Sequence, residues 1–462
     1  MPYIPHSDED VSRILKTLKH KSVEDMLGVF PEEFRIKGGN APFGNLKLPK
    51  GLSEQELSAL MSELSSKNTR FGEYASFLGA GAYNHYIPAV VRALTSRSEF
   101  YTSYTPYQPE VSQGTLQAIF EYQTLVCQLT AMDVANASLY DGGSSAAEAV
   151  LMARRITGKN KVILSAALHP EYRETVKTYL KATGGDISEV GEALYCTEEG
   201  TTLPEAVEAV CGDEPACLVV QHPNFFGCLE DVSALAAFIH KKKGLLIVVV
   251  NEAVSLGLLK PPGELGADIA VGEMQSFGNA LNFGGPYLGF MAVKSSFVRQ
   301  MPGRLIGATV DKSGNRAFCL TFATREQHIR RERATSNICT NHGLCALAAA
   351  IHMVSLGAAG LKDTAVLNLS KANYLKEKLA KIKRVLPSSG VSIAFNAPTF
   401  NEFTIKIAGD VDKTLRSLLG HRVIGGLALK RFYPALDKHL LVAVTEMNTR
   451  EELDGFAGHL AL

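Results

Sequence analysis

Six consecutive aliphatic residues, Leu245-Leu-Ile-Val-Val-Val250, lie between Gly244 and Asn251-Glu252. A strand with one wet face alternates apolar and polar residues. An unbroken run needs cover on both faces, which places it inside a sheet sandwiched between helices. The flanking sequence agrees. Cys217–Gln221 is a short apolar strand. Asp231 can cap a helix carrying Leu235, Phe238 and Ile239. Lys241, Lys242 and Lys243 then put cations at the helix C-terminus before Gly244. Two further apolar runs follow, 268–271 and 287–293. This β-α-β-β-β succession predicts an α/β fold around a largely parallel sheet with helices on both faces.

The 462 residues correspond to about three structural units at roughly 150 residues each. The boundaries fall near residues 70 and 345. Residues 1–70 form a helical segment, in which Ser53-x-x-Glu56 is a capping box ahead of Leu57, Leu60, Met61 and Leu64 at helical spacing. Gly38–Gly44 precedes it as a loop. Residues 71–345 form the large α/β domain. Residues 346–462 form a small α+β domain, in which 391–395 and 403–407 alternate like solvent-facing strands, 440–444 is a third strand, and Thr449-x-x-Glu452 caps a last helix.

Ligands of open α/β sheets bind beyond the carboxyl ends of the strands, so the residues there are the ones to read. After Leu139 comes Tyr140-Asp141-Gly142-Gly143-Ser144-Ser145, a turn that opens a helix. It can offer N–H groups and hydroxyls to a phosphate, or it is an Asp-Gly turn with serine caps. After Val250 comes Asn251, and after the next strand Gly272-Glu273-Met274-Gln275, then Gly284-Gly285-Pro286. A pyridoxal-phosphate enzyme of this layout needs an Asp at the first place, to pair with the pyridinium nitrogen. It needs a Schiff-base Lys at the second. The spacing fits and the residue types do not: Asn251 carries no charge and Gln275 has no amine. The segment 101–110, with its prolines, tyrosines and amides, could orient a small polar ligand, and 324–337 concentrates charge of both signs; a solvated loop and a salt-bridged helix end explain them at least as well. Gly79-Ala-Gly-Ala-Tyr-Asn84 resembles half of a dinucleotide fingerprint, lacks the third glycine and follows no apolar strand, so nucleotide binding is not expected there.

Lys+Arg and Asp+Glu both number 47, and this balance gives no footprint for nucleic acid or an anionic membrane. The run Leu245–Val250 is far too short to span a bilayer. The acidic start, Met1–Asp10, reads as neither a secretory signal nor a transit peptide, and a cytoplasmic location is expected. No two of the eight cysteines have CxxC spacing. Cys339 and Cys345 bracket His342, but the Ala- and Leu-rich surroundings read as a helix rather than a metal site.

Taken together, these segments resemble the glycine decarboxylase family, the P protein of the glycine cleavage system. The resemblance spans essentially the whole chain. It is carried by Tyr104-Thr-Pro-Tyr-Gln-Pro-Glu110-Val-Ser-Gln-Gly114, Asn136-Ala-Ser138, Lys260-Pro-Pro-Gly263 with Gly266-Ala-Asp268, Arg299-Gln-Met-Pro-Gly303, and Thr324-Arg-Glu-Gln-His-Ile-Arg330 running into Ala334–Thr340. It implies a fold type I pyridoxal-phosphate architecture and, more narrowly, the alpha-type member of a split two-subunit form, whose lysine-bearing beta-type partner holds the coenzyme. It further implies an alpha2-beta2 heterotetramer, decarboxylation of glycine, and transfer of the aminomethyl group to the lipoyl arm of the H protein. Gln275 and Asn251 are then a matched pair of losses, with no catalytic residue on this chain. By motif position, Thr335, Ser336 and Asn337 would approach the partner's coenzyme phosphate, and Tyr104, Tyr107 and Gln108 would line the glycine pocket or the lipoyl entrance. Two other readings stay open: a self-sufficient enzyme using Lys260 or Lys294, and a scaffold that contributes no active-site group.

Overall fold

The computed structural model describes residues 6–34, 49, 51–69, 72–102, 104–183, 190–338, 341–385 and 390–461. The expected loop Gly38–Gly44 and Cys339 lie outside these. The chain divides into two compact units, residues 1–70 and 71–462.

The first unit is helical. Asp8–Leu18 starts from a capping box between Ser7 and Asp10, and Glu54–Ser66 from the expected one between Ser53 and Glu56. The stripe Leu57, Leu60, Met61 and Leu64 forms as the spacing predicts, yet stays between 41% and 56% exposed.

The second unit is built on a seven-stranded sheet. Its strands are β1 (Val134–Ala135), β2 (Lys161–Ser165), β3 (Val190–Ala193), β4 (Pro215–Gln221), β5 (Leu245–Val250), β6 (Ile269–Glu273) and β7 (Gly289–Val293). Their order is β1-β7-β6-β5-β4-β2-β3, and only β7 runs against its neighbours. The run that opened the sequence reading is the centre of this sheet. Leu246, Val248 and Val250 enter one hydrophobic core, while Ile247 and Val249 enter the other. Each fully buried aliphatic side chain contributes about 1.5–3 kcal/mol, which is why the run is unbroken. The helix Val232–Lys241 covers one face, and Asp231 accepts from Ala234 N–H at its start, as expected. Gly142–Thr157 covers the other.

The helix Gly343–Val385 carries the chain to a four-stranded antiparallel sheet of Val391–Ile393, Glu402–Ile407, His439–Ala443 and Leu427–Ala428. This helix is apolar and long, but Gly357 (φ 63°) breaks it. The first piece, to Leu356, reaches roughly 21 Å at 1.5 Å per residue, short of a bilayer core of about 30 Å. The second carries Lys362, Asp363, Lys371, Lys376 and Lys378. The expectation of solvent-facing strands here is corrected. Within Glu402–Ile407 only Lys406 is exposed. Phe403, Ile405 and Ile407 pack with the helix Arg450–Ala461, and the opposite face meets the loop after β4, where Thr404 Oγ1 donates to Phe226 O. The last helix has its Thr449–Glu452 capping box. Ala75–Ser76 pairs in parallel with Val423–Ile424, and Phe77 stacks on Phe456 at 4.2 Å. The start of the second unit is therefore tied to its end.

Candidate functional site

The carboxyl edge of the large sheet gathers His169 beyond β2, Asn251 and Glu252 beyond β5, Glu273 ending β6, and Gln275 just after it. Gln275 and Asn251 are 2% and 1% exposed. The crevice they should line holds protein instead. The segment Gly79–His85 crosses it, and Gln275 is spent on that segment. Its Oε1 accepts from Tyr83 N–H at 2.9 Å, and its amide donates to Tyr83 O at 3.1 Å and to Asn279 O at 2.6 Å. The imidazole of His169 donates through Nε2 to Ala80 O at 3.0 Å and lies against Tyr172. Gly81, at φ +103°, passes so close that a Cβ there would sit 3.4 Å from His169 and 3.7 Å from Asn251 Nδ2.

Carboxylates from distant parts of the chain fasten this segment. Glu402 accepts from Ala80 N–H at 2.6 Å and from the Tyr83 hydroxyl at 2.8 Å. His85 donates to Glu252 at 3.0 Å and to Glu446 at 2.8 Å. Burial alone would lower the His85 pKa, but the two carboxylates hold it up at about 10, so the ring is an imidazolium. Burial pushes Glu402 up to about 7 and Glu273 up to about 8. Both acids bind protons more tightly when folded, so their contribution is complete below the ordinary carboxylate range and is lost as pH rises through 7 and 8. His222 and His352, pushed down to about 4 by burial, act in the opposite sense only below pH 6.5. The thermal midpoint is therefore expected to fall between pH 6.5 and 9. A midpoint that rises over this range in a scanning-calorimetry series would contradict these assignments.

The coenzyme that the family resemblance implies does not fit this chain's own crevice. There is no amine at 275 and no carboxylate at 251, and the first N–H of the helix Gly142–Thr157 already donates to Glu273 Oε2 at 3.1 Å. The other lysines offer no substitute. Lys294 pairs with Asp268, which precedes β6 at the opposite edge of the sheet, and Lys260 is an exposed residue before the same strand. Among the described residues no group of His, Cys, Asp and Glu could hold a metal ion, and Cys345 lies in a helix.

The other expected residues form a second region. Tyr104 lines an open cavity of about 350 Å³ with Thr102, Arg304, Asn341 and His342. Tyr107 accepts from Arg304 Nη2 at 3.0 Å and meets His328 edge-on at 5.5 Å, which joins the tyrosine loop to the 324–337 segment. Arg304 also donates to Asn341 at 3.2 Å and lies 3.7 Å from Glu326. Gln108 is exposed. Thr335 N–H donates to Arg325 O, and Asn337 is exposed beside His328 and Arg331. Ser336 turns inward. Its hydroxyl donates to Glu148 at 2.8 Å and accepts from Ile338 N–H at 3.0 Å.

Sequence reasoning missed Arg304, His169, Glu273 and the crossing segment. A glutamate closing an otherwise apolar strand was a visible signal for Glu273. Nothing local marked Gly79–His85, whose main anchors lie more than 300 residues away.

The sequence matches the glycine cleavage system P-protein family over residues 1–460. A probable glycine dehydrogenase (decarboxylating) subunit 1 from Desulfitobacterium hafniense is 51% identical, with 98% of each chain covered. A crystal structure of glycine decarboxylase (P-protein) of the glycine cleavage system, in inhibitor-bound form, superposes with a TM-score of 0.88 at 39% identity, covering 100% of this chain and 99% of that one. A sphingosine-1-phosphate lyase from Burkholderia pseudomallei shares the fold, with a TM-score of 0.65 at 16% identity over 90% of this chain and 92% of its own.

Proposed function

Since this chain belongs to the glycine cleavage system P-protein family, we propose that it is the coenzyme-free subunit of a two-subunit glycine dehydrogenase (decarboxylating). In this reading a beta-type partner bears the Schiff-base lysine, the pair assembles as an alpha2-beta2 heterotetramer in the cytoplasm, and the H protein receives the aminomethyl group. One observation carries the reading: the fold is complete, yet Gln275 and Asn251 stand where the lysine and aspartate belong, and Gln275 is engaged in holding Tyr83. Pyridoxal phosphate on the partner supplies the electron sink for loss of CO2 from glycine.

This chain's residues do the surrounding work. Arg304, held by Tyr107, Asn341 and Glu326, presents a fixed cation in the cavity beside Tyr104. It can orient a carboxylate and keep it from water. Gln108 adds an exposed amide to the same loop. In this reading Thr335 and the exposed Asn337 approach the partner's phosphate, while Ser336 fixes their loop to Glu148.

The test is reconstitution. This chain alone, with pyridoxal phosphate and borohydride, acquires no fixed pyridoxyl group and catalyses no glycine–bicarbonate exchange; with the beta-type subunit, exchange appears. Within that complex, Tyr107→Phe removes the acceptor for Arg304 and Asn337→Ala removes a polar contact. Each is expected to slow exchange roughly 10-fold, the scale of one hydrogen bond to a charged group. Wild-type rates in both, with assembly intact, would make this chain a scaffold.

A further inference from the structure

Glu273 occupies an unusual position. It ends a buried strand, is 1% exposed, and forms no ion pair among the described residues. Its three hydrogen bonds are all accepted from backbone N–H groups. Oε1 accepts from Leu288 N–H at 2.6 Å and Gln275 N–H at 3.1 Å, and Oε2 accepts from Gly142 N–H at 3.1 Å. Gly142 is the first residue of a 16-residue helix, whose N-terminus favours a carboxyl or phosphate oxygen. The serine groups of that turn are engaged within it. The Ser144 and Ser145 hydroxyls donate back to Asp141 O at 3.1 and 2.7 Å, and Asp141 Oδ1 takes the Ser144 N–H. Tyr172 closes over the turn, with its hydroxyl 2.3 Å from where a Cβ on Gly142 would lie.

A second observation lies on the neighbouring strand end, where the pairing of Val250 with Gly272 puts Asn251 beside Glu273. Asn251 is 1% exposed, and among the described residues neither its Nδ2 nor its Oδ1 has a hydrogen-bond partner. A buried amide left unmatched costs about 1–3 kcal/mol. The crevice thus keeps an unsatisfied polar group at Asn251, while the Gly142 N–H is satisfied from within by Glu273.

We propose that the Glu273 carboxyl is a built-in substitute for the coenzyme phosphate, so that this chain excludes the coenzyme by filling the phosphate's place as well as by lacking the lysine. The chemistry matches on both sides. A carboxyl and a phosphate both present oxygens to N–H groups at a helix start. Burial pushes the Glu273 pKa up to about 8, which favours the neutral carboxyl and removes the need for a counter-cation, whereas a bound phosphate brings charge. The substitution also holds Gln275, since Glu273 accepts its N–H and thereby fixes the turn that presents its side chain to Tyr83. The inference rests on the reading that this chain carries no coenzyme of its own.

The test uses the full chain and inorganic phosphate as probe. Glu273→Ala uncovers the Gly142 N–H. Glu273→Asn does so more gently, because the shorter amide can still accept from Gln275 N–H as an Asx-turn, and it stands in if the alanine variant does not fold. The expected result is a thermal midpoint that rises by about 3 °C or more in 50 mM phosphate over chloride at equal ionic strength. Wild type and Glu273→Gln, which refills the space, should not respond. A folded Ala or Asn variant that ignores phosphate overturns the proposal, and so does an equal response in wild type or Glu273→Gln. A borohydride-fixed pyridoxyl group on the wild-type chain would instead overturn the coenzyme-free reading itself.

Discussion

His85→Ala is expected to destabilise the second unit by about 3–5 kcal/mol, the cost of stranding buried carboxylates after removal of their shared cation. His85 and Glu252 side chains are 3% and 4% exposed, and Glu446 13%, so solvent cannot replace the imidazolium. Burial would raise the Glu446 pKa, yet its bond to His85 wins and pulls it down to about 2. The effect has a pH signature. The folded His85 pKa of about 10 lies above its ordinary 6.5. Its contribution is therefore complete below pH 6.5 and is lost as pH climbs to 10, and the gap between wild type and His85→Ala should narrow over that window. Denaturant titrations at pH 6.5 and 9.5 measure both quantities. A loss below 1 kcal/mol at pH 6.5, or a gap that widens with pH, would show that the ring is not the clamp described here.

Gln275→Lys should leave the chain without coenzyme and cost about 3 kcal/mol. The new ammonium would enter a space whose groups are matched to an amide. It cannot accept the Tyr83 N–H, so a buried donor goes unpaired, and desolvation disfavours its own charge. Asn251 still offers no carboxylate for a pyridinium nitrogen. Adding Asn251→Asp corrects the residue types but leaves Gly79–His85 across the crevice. Absorbance from bound pyridoxal phosphate in the single variant, with stability unchanged, would refute this account of both positions.

The parts of the architecture that were legible in sequence share a cause. Leu245–Val250 and the capping residues Ser53, Asp231 and Thr449 act through neighbours within a few positions, and local patterns record local forces. The C-terminal strands were misread because Phe403–Ile407 alternates in type while both faces are covered. What covers the second face is the Phe226 loop, some 180 residues earlier in the chain. The absences at Gln275 and Asn251 were readable from spacing. What fills the crevice was not, because Gly79–His85 looks like an ordinary glycine-rich loop and meets its anchors only in three dimensions. Ser336 illustrates the same limit: motif position groups it with Thr335 and Asn337, and only the packing shows its hydroxyl bonded to Glu148.

The crossing segment also sets an order of events during synthesis. Tyr83 and His85 leave the ribosome early, but Glu402 and Glu446 follow 319 and 361 residues later. The strands of the large sheet can pair before those residues exist, because β1 to β7 are complete by Val293. Throughout that interval Gly79–His85 can be held by groups already made, Gln275, His169 and Glu252, but lacks the two carboxylates that complete its fastening. Closing a loop of more than 300 residues adds only a modest entropic cost over a short one, since that cost grows with the logarithm of length, but it postpones the closure to the last stretch of translation. A chain cut short near residue 400 would thus carry the crossing segment without its Glu402 and Glu446 anchors, a crevice more loosely fastened than that of the finished subunit.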